Sequence, residues 1–222
     1  MTTNDEVLQG LFDETLVGNA PRVKELTEIG LENGMGPETL LYDALIPSLE
    51  EVGARFERGD YFVPEMLIAA RAMQGALNIL RPLLAETGAK PIGTFVMGTV
   101  KGDVHDIGKN LVNIMLEGAG FTVHDLGVNV APETFVQQIE EHEPDIVGFS
   151  AFLTTTMPMF KANINALQKS GLRDKVIVMV GGAPVTQEYA DAVGADGYAA
   201  DASTAVRLAK DLIEKRRALQ PA

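Results

Sequence analysis

The sequence contains no cysteine. That absence excludes disulfides, iron–sulfur clusters, Cys-ligated zinc and thiol catalysis. Basic residues are scarce: 18 Lys and Arg stand against 31 Asp and Glu, a formal net charge of −13. Nucleic acids and anionic membrane surfaces want a basic face, so neither is expected as a partner. No apolar run approaches the roughly 20 residues of a membrane helix. Met1–Gly10 has no basic start followed by an apolar segment, so no signal peptide is expected and the chain reads as cytoplasmic. Internal repeats and low-complexity segments are lacking as well. What is present is 46% apolar residues over 222 positions, enough for one large core or two smaller ones.

The chain divides near residue 90. Residues 4–88 carry apolar side chains at spacings of three and four, such as Val7, Leu8, Leu11, Leu16 and Val17. Pro21 marks a second helix start, Asn33-Gly34 a stop, and Gly36-Pro37 a third start. Pro47 lies inside the third helix and predicts a kink there. Gly59-Asp60 breaks the pattern before a long fourth helix from Val63 to Ala85. The expectation is a four-helix bundle over 1–88 and an α/β domain over 89–222, with Ala85–Pro91 as the linker.

From Pro91 onward, short β-rich runs alternate with helical stretches. Strands are expected at Ile92–Met97, Thr122–Asp125, Ile146–Phe149, Val176–Val180 and Gly197–Ala199. Helices are expected near Gly108–Glu117, Pro132–Glu141, Thr155–Ser170, Gln187–Val193 and Ser203–Arg216. Such alternation implies a doubly wound parallel sheet, here flavodoxin-like (Rossmann-like) with strand order 2-1-3-4-5. Ligands of these sheets bind beyond the carboxyl ends of the strands, where the order reverses.

Those strand ends carry distinctive residues. After the first strand comes a long loop holding Gly102, Asp103, Val104, His105, Asp106, Ile107 and Gly108. The third strand ends in Ser150-Ala151-Phe152-Leu153-Thr154, and the fourth in Gly181-Gly182. A His beside an Asp can be a metal ligand, a general base or a structural pair. Zinc is disfavoured, because its sites take three or four protein ligands and nothing places His124 or His142 beside His105. Both of those histidines read as surface residues. Ser150 lacks the G-x-S-x-G elbow of a hydrolase, and Gly108-Lys109 is followed by Asn110 where a phosphate loop needs Ser or Thr. A receiver domain would place Asp where Ser150 stands, and no G-x-G-x-x-G follows the first strand. A single imidazole does make sense as the axial ligand of a metal already held by a macrocycle. Asp103 can then accept a hydrogen bond from the far ring nitrogen, and Ser150 can steady Asp103. Gly181 and Gly182 would let a bulky ligand approach the backbone.

Asp103-x-His105-x-x-Gly108, then 41 residues to Ser150-x-Phe152, then 28 residues to Gly181-Gly182, resembles the cobalamin-binding motif DxHxxG…SxL…GG. Residues 4–88 resemble the helical cap of methionine synthase and of the corrinoid proteins in methanol, methylamine and methoxyarene methyltransferase systems. The one departure is Phe152 where the motif has Leu, a change that bears on pocket shape. The resemblance implies cobalamin bound with its own lower base displaced and His105 as the cobalt ligand, Asp103 and Ser150 forming its relay. It implies Gly102–Gly108, Ser150, Leu153, Thr154, Gly181, Gly182 and Ala202 as lining of the cofactor cleft. Phe56, Phe62, Val63 and Met66 would cover the upper face and keep water from it; by composition alone that stretch reads as bundle core.

The function so implied is a corrinoid methyl carrier of one-carbon metabolism, with no complete active site of its own. A substrate-specific methyltransferase would load a methyl group, giving methylcobalamin. An acceptor methyltransferase would pass it to tetrahydrofolate or a thiol, and a reductive activator would restore the cofactor. The cap would have to move about the linker to admit these partners. Two alternatives are a cobalamin-binding subunit of a radical mutase, which would not need this cap, and a cobalamin-binding sensor, which would add an output module.

Overall fold

A computed structural model describes residues 2–87 and 91–219. Contacts divide the chain into two compact units, Met1–Lys90 with Gly118–Gly120, and Pro91–Glu117 with Phe121–Ala222. Of the expected linker, residues 85–87 form the last turn of a helix and 88–90 lie outside the described residues.

The first unit is helical. Helix α1 (Asn4–Leu16) opens on a capping box: Thr3 accepts from the Glu6 backbone at 3.3 Å, and the Glu6 carboxylate accepts from Thr3 N at 2.7 Å. Helix α2 (Ala20–Glu32) has Pro21 in its first turn, where the missing N–H costs nothing. The third helical segment is α3 (Pro37–Leu40), a π-turn (Leu41–Leu45) and α4 (Ile46–Arg58), run together. Pro47 explains the widened turn. Its ring would crowd the carbonyl four residues back, and the Ile46 N–H bonds instead to Leu41 O, five residues back. So the proline that predicts a kink produces a π-bulge. Gly59, at φ 79°, ends α4 in the left-handed region. Helix α5 (Val63–Thr87) starts with Glu65 accepting from Phe62 N at 2.9 Å. The helices pack α1 on α2, α2 on α5, α5 on α4 and α4 on α1, closing a ring.

The second unit is a parallel sheet of β1 (Thr94–Thr99), β2 (Thr122–Asp125), β3 (Ile146–Ser150), β4 (Ile177–Gly181) and β5 (Gly197–Ala199), in the order β2-β1-β3-β4-β5. This is the flavodoxin-like order read from the sequence. Between the strands run α6 (Ile107–Gly118), α7 (Pro132–His142), α8 (Pro158–Lys169), α9 (Gln187–Val193) and α10 (Ala202–Leu219). Strand β1 begins at Thr94 rather than at Ile92. The Asp145 carboxylate takes the Thr94 N–H at 2.8 Å, and a side chain on Gly93 would collide with Ile213. Val96, Val147, Phe149, Val178 and Val180 bury one sheet face in a core shared with Phe135 and Ile139 of α7 and Phe160, Ile164 and Leu167 of α8. The alternate residues Phe95, Met97, Ile146, Ile177 and Met179 are buried on the other face. Burial on both faces explains why these strands read as continuous apolar runs.

The register sets the site. The last paired row across the sheet is Thr99, Ser150, Gly181 and Ala199. The chain leaves β1 for one side and returns to the other at β3, so the crevice beyond Thr99 and Ser150 is the switch point.

Candidate functional site

The loop between β1 and α6 is fixed from three sides. The Thr99 hydroxyl donates to His105 O at 2.9 Å. Gly102 N donates to Asn129 Oδ1 at 2.8 Å, and Asn129 N donates to Asp103 O at 2.9 Å. Asn129 takes φ 55°, a left-handed conformation that Asn tolerates better than most residues. At the start of α6, the Lys109 ammonium is buried and reaches both oxygens of Asp125 at 2.6 Å, tying the helix to the end of β2. The sequence does not mark Asn129 or the Lys109–Asp125 pair as anchors of this loop. An Asn in a loop between predicted elements was the available signal for the first.

Asp103 is fully buried at the centre of this loop. One oxygen, Oδ1, accepts from His105 N at 3.1 Å and faces His105 Nδ1 at 2.7 Å. The other, Oδ2, accepts from the Thr156 hydroxyl at 2.6 Å, Phe152 N at 2.8 Å and Leu153 N at 3.3 Å. Burial alone would push the carboxyl up. The bonds from Thr156, His105 and Phe152 outweigh burial and hold it well below the usual carboxylate range. An ionised carboxylate only accepts, so His105 Nδ1 carries a proton. In the neutral ring Nε2 holds the lone pair, and the side chain is 45% exposed.

Exposed apolar side chains neighbour His105 in the chain, Val104 and Ile107, and follow on the β3 loop bound to Asp103, Phe152 and Leu153. The Phe152 ring stacks on His105 at 4.4 Å. Thr154 and Gly102 are exposed beside them, Asp106 is half-buried, and Gly108 is exposed in the first turn of α6. Gly181 and Gly182 are half-buried at the end of β4. Gly182, at φ 135°, lies so close to the β3 loop that a Cβ there would fall on the carbonyl of Ala151. Gly182 thus lets two loops meet, a reason the sequence does not suggest.

The structure differs from the expectations at four points. The hydroxyl on Asp103 belongs to Thr156, not to Ser150; Ser150 ends β3 between Thr99 and Gly181, and Asp103 is reached from the turn beyond the strand. Ala202 opens α10 but is buried at 4% exposure. Of the lid residues in the helical unit, Phe62 and Val63 are exposed and Phe56 is half-buried, whereas Met66 is completely buried and serves packing. His124 and His142 do not stand alone on the surface: they stack on each other at 3.8 Å.

Among the described residues, no group of three or more His, Asp or Glu could hold a bare metal ion. One outward imidazole in an apolar collar suits a metal that brings its other ligands with it. Comparison with known proteins bears on which one. Two family models match, each described as a B12 binding domain, over residues 93–207 and 7–81. Dimethylamine corrinoid protein 2 of Methanosarcina acetivorans is 44% identical over 96% of this chain and 99% of its own length. This chain belongs to the corrinoid proteins of methyltransferase systems. Its cofactor is cobalamin or a related corrinoid.

Another relative, dimethylamine corrinoid protein 3 of Methanosarcina mazei, is 50% identical over 74% of this chain and 99% of its own. Among solved structures, the methanol:cobalamin methyltransferase complex MtaBC of Methanosarcina barkeri contains a chain that superposes with a TM-score of 0.83 at 29% identity, covering 99% of this chain and 87% of that one. A cobalamin-binding protein of Desulfitobacterium hafniense superposes with a TM-score of 0.77, also at 29% identity, covering 96% and 99%. The match over residues 7–81 makes the helical unit part of the corrinoid-protein pattern in its own right. No helix among the described residues is long and apolar enough to cross a membrane.

Proposed function

We propose that this corrinoid protein carries a methyl group between two methyltransferases, holding the cofactor with its own lower base displaced and His105 as the axial ligand. The observation that carries the reading is the 2.7 Å contact between His105 Nδ1 and Asp103 Oδ1 beneath an outward-facing ring. When bound, the corrinoid supplies a cobalt that accepts and gives up a methyl group; the rest is the work of this chain.

Asp103 fixes the tautomer, so Nε2 offers its lone pair to the metal. The buried negative charge also makes the imidazole a stronger donor. A metal and a proton would compete for Nε2, while Asp103 would hold the proton on Nδ1 in either case. Val104, Ile107, Phe152 and Leu153 offer an apolar seat to the macrocycle around the imidazole. Gly102, Ser150, Thr154, Gly181 and Gly182 line the approach for its nucleotide tail.

The partners are a substrate-specific methyltransferase that loads the methyl group, an acceptor methyltransferase serving tetrahydrofolate or a thiol, and a reductive activator. The relatives named for dimethylamine make a methylamine the first donor to try. The test is reconstitution. Apoprotein is incubated with hydroxocobalamin, passed through gel filtration and compared with His105→Ala. Near-stoichiometric cofactor on the wild type and an altered axial-ligand spectrum in the variant are expected. Wild type that retains no corrinoid in any cobalt oxidation state would overturn the reading.

A further inference from the structure

We infer that Asn129 is a positioning residue for the cofactor loop: its side chain locks the turn leading into Asp103 and His105 in the one form that receives the corrinoid. This inference rests on the corrinoid reading above and deepens it.

Val100, Lys101, Gly102 and Asp103 form a tight turn, closed by Asp103 N donating to Val100 O at 3.1 Å. Gly102, the third residue, takes φ 84°, while Lys101 before it has no positive φ. That combination marks a type II turn. Type I closes with the same hydrogen bond and differs by turning over the central peptide, here Lys101–Gly102. Glycine accepts both forms, so residue 102 by itself does not choose between them.

Asn129 makes the choice. Its Oδ1 accepts from Gly102 N at 2.8 Å, and its own N–H donates to Asp103 O at 2.9 Å. Turned over, the central peptide would swing its N–H away and bring the Lys101 carbonyl toward Asn129 Oδ1, one acceptor against another. The clasp therefore closes on the type II form. It stands on a fixed frame. Thr99 N donates to Gly127 O and Val130 N donates to Thr99 O, both at 2.9 Å. Gly127 N donates to Asp125 at 2.9 Å, and Asp125 holds the buried Lys109. Residue 129 itself takes φ 55°, a conformation that Asn and Asp adopt at lower cost than most side chains.

Gly102 and Asn129 are both exposed, so the clasp belongs to no core. Its effect falls instead on the share of molecules whose loop is ready for the ligand. Asp103 closes the turn and His105 follows two residues on. An unlocked turn leaves fewer molecules with that pair in place, and the apparent affinity falls with their fraction.

The test compares Asn129→Gly and Asn129→Asp with wild type. Glycine keeps the left-handed backbone and removes the acceptor; aspartate keeps both. In the apoprotein, nuclear magnetic resonance follows amide hydrogen exchange at Gly102, and circular dichroism and the thermal midpoint report folding. Titration with hydroxocobalamin then gives the dissociation constant. We expect Asn129→Gly to speed exchange at Gly102 roughly threefold or more and to weaken binding about 2- to 10-fold, the factor that one net hydrogen bond spans, with the fold unchanged. Asn129→Asp should bring both readings back to those of wild type. Should Asn129→Gly not fold, Asn129→Ala takes its place. Unchanged exchange at Gly102 overturns the inference, as does faster exchange with unchanged affinity, or equal weakening in Asn129→Asp. Wild type that binds no corrinoid is a different result; it removes the functional reading itself, and this inference with it.

Discussion

The ring of Phe152 lies over the imidazole of His105, centroids 4.4 Å apart and planes 28° from parallel. The same residue donates its backbone N–H to Asp103 at 2.8 Å. One residue thus steadies both members of the Asp103–His105 pair, one through its side chain and one through its backbone. The motif has Leu here, and a Leu would keep the backbone bond but lose the stacking.

Phe152→Leu therefore separates the two contributions. A stacked aromatic pair contributes about 0.5–1.5 kcal/mol beyond its buried area. The affinity for hydroxocobalamin should fall roughly 2- to 10-fold, the range that this energy spans. Titration followed by the visible spectrum measures it, and an unchanged dissociation constant would show that the stacking has no bearing on the cofactor.

Asp103→Asn should be costly even without cofactor. The amide would turn donors toward the donors of Thr156, Phe152, Leu153 or His105, leaving buried groups unsatisfied. A loss of about 3 kcal/mol is expected from denaturant unfolding near neutral pH. The pH dependence has a definite sign. The folded carboxyl titrates below its unfolded value of about 3.9. Its stabilisation is present above that value and is lost as the pH falls below it, since the unfolded chain binds the proton first. The Asn variant should lack this acid-side loss; equal acid sensitivity in both would contradict the assignment.

The Lys109–Asp125 pair predicts an asymmetry. The lysine side chain is 1% exposed and the aspartate 41%. Removing the aspartate leaves a buried cation with, among the described residues, Asn110 Oδ1 at 2.6 Å as its remaining partner. Removing the lysine leaves a carboxylate that water can reach. Asp125→Ala should cost about 3 kcal/mol or more, and Lys109→Met clearly less. Chemical denaturation of the two variants settles the order, and the reverse order would refute this account of the loop anchor.

The stacked histidines give a second pH signature. Burial pushes His124 below its ordinary value and the charge on His142 adds to this, while Glu141 opposes it. Above pH ~6.5 both folded and unfolded states carry it neutral, and it contributes no slope. Below that, the unfolded chain takes the proton first, so stability falls as the pH falls. His124→Gln should flatten the stability profile below pH ~6.5 without moving the corrinoid spectrum. A profile as steep as that of wild type would contradict this.

The sequence made some of this legible and hid the rest for physical reasons. Asp103 and His105 share one loop, so two residues of spacing were enough to pair them. The strands were legible because burial on both faces forces unbroken apolar runs. Thr156 was hidden among three consecutive threonines, of which only the one with the right turn phase points inward. Asn129 was hidden because its partner, Gly102, is 27 residues away and the contact depends on a left-handed backbone. Met66 is placed on the lid by the resemblance alone; its apolar helical position reads as bundle core, and it is buried. The π-turn at Leu41–Leu45 announced itself only through Pro47, which signals a disruption without its form.

The central claim is that a protein imidazole, and not the cofactor's own base, ligates the cobalt. The most direct measurement is the electron paramagnetic resonance spectrum of cobalamin in its Co(II) state, bound to protein made with 15N-labelled histidine. The account predicts that the axial nitrogen splitting changes from the triplets of 14N to the doublets of 15N, and that His105→Ala abolishes it. Triplets that persist in the labelled protein would place the cofactor's own base on the metal and contradict the account.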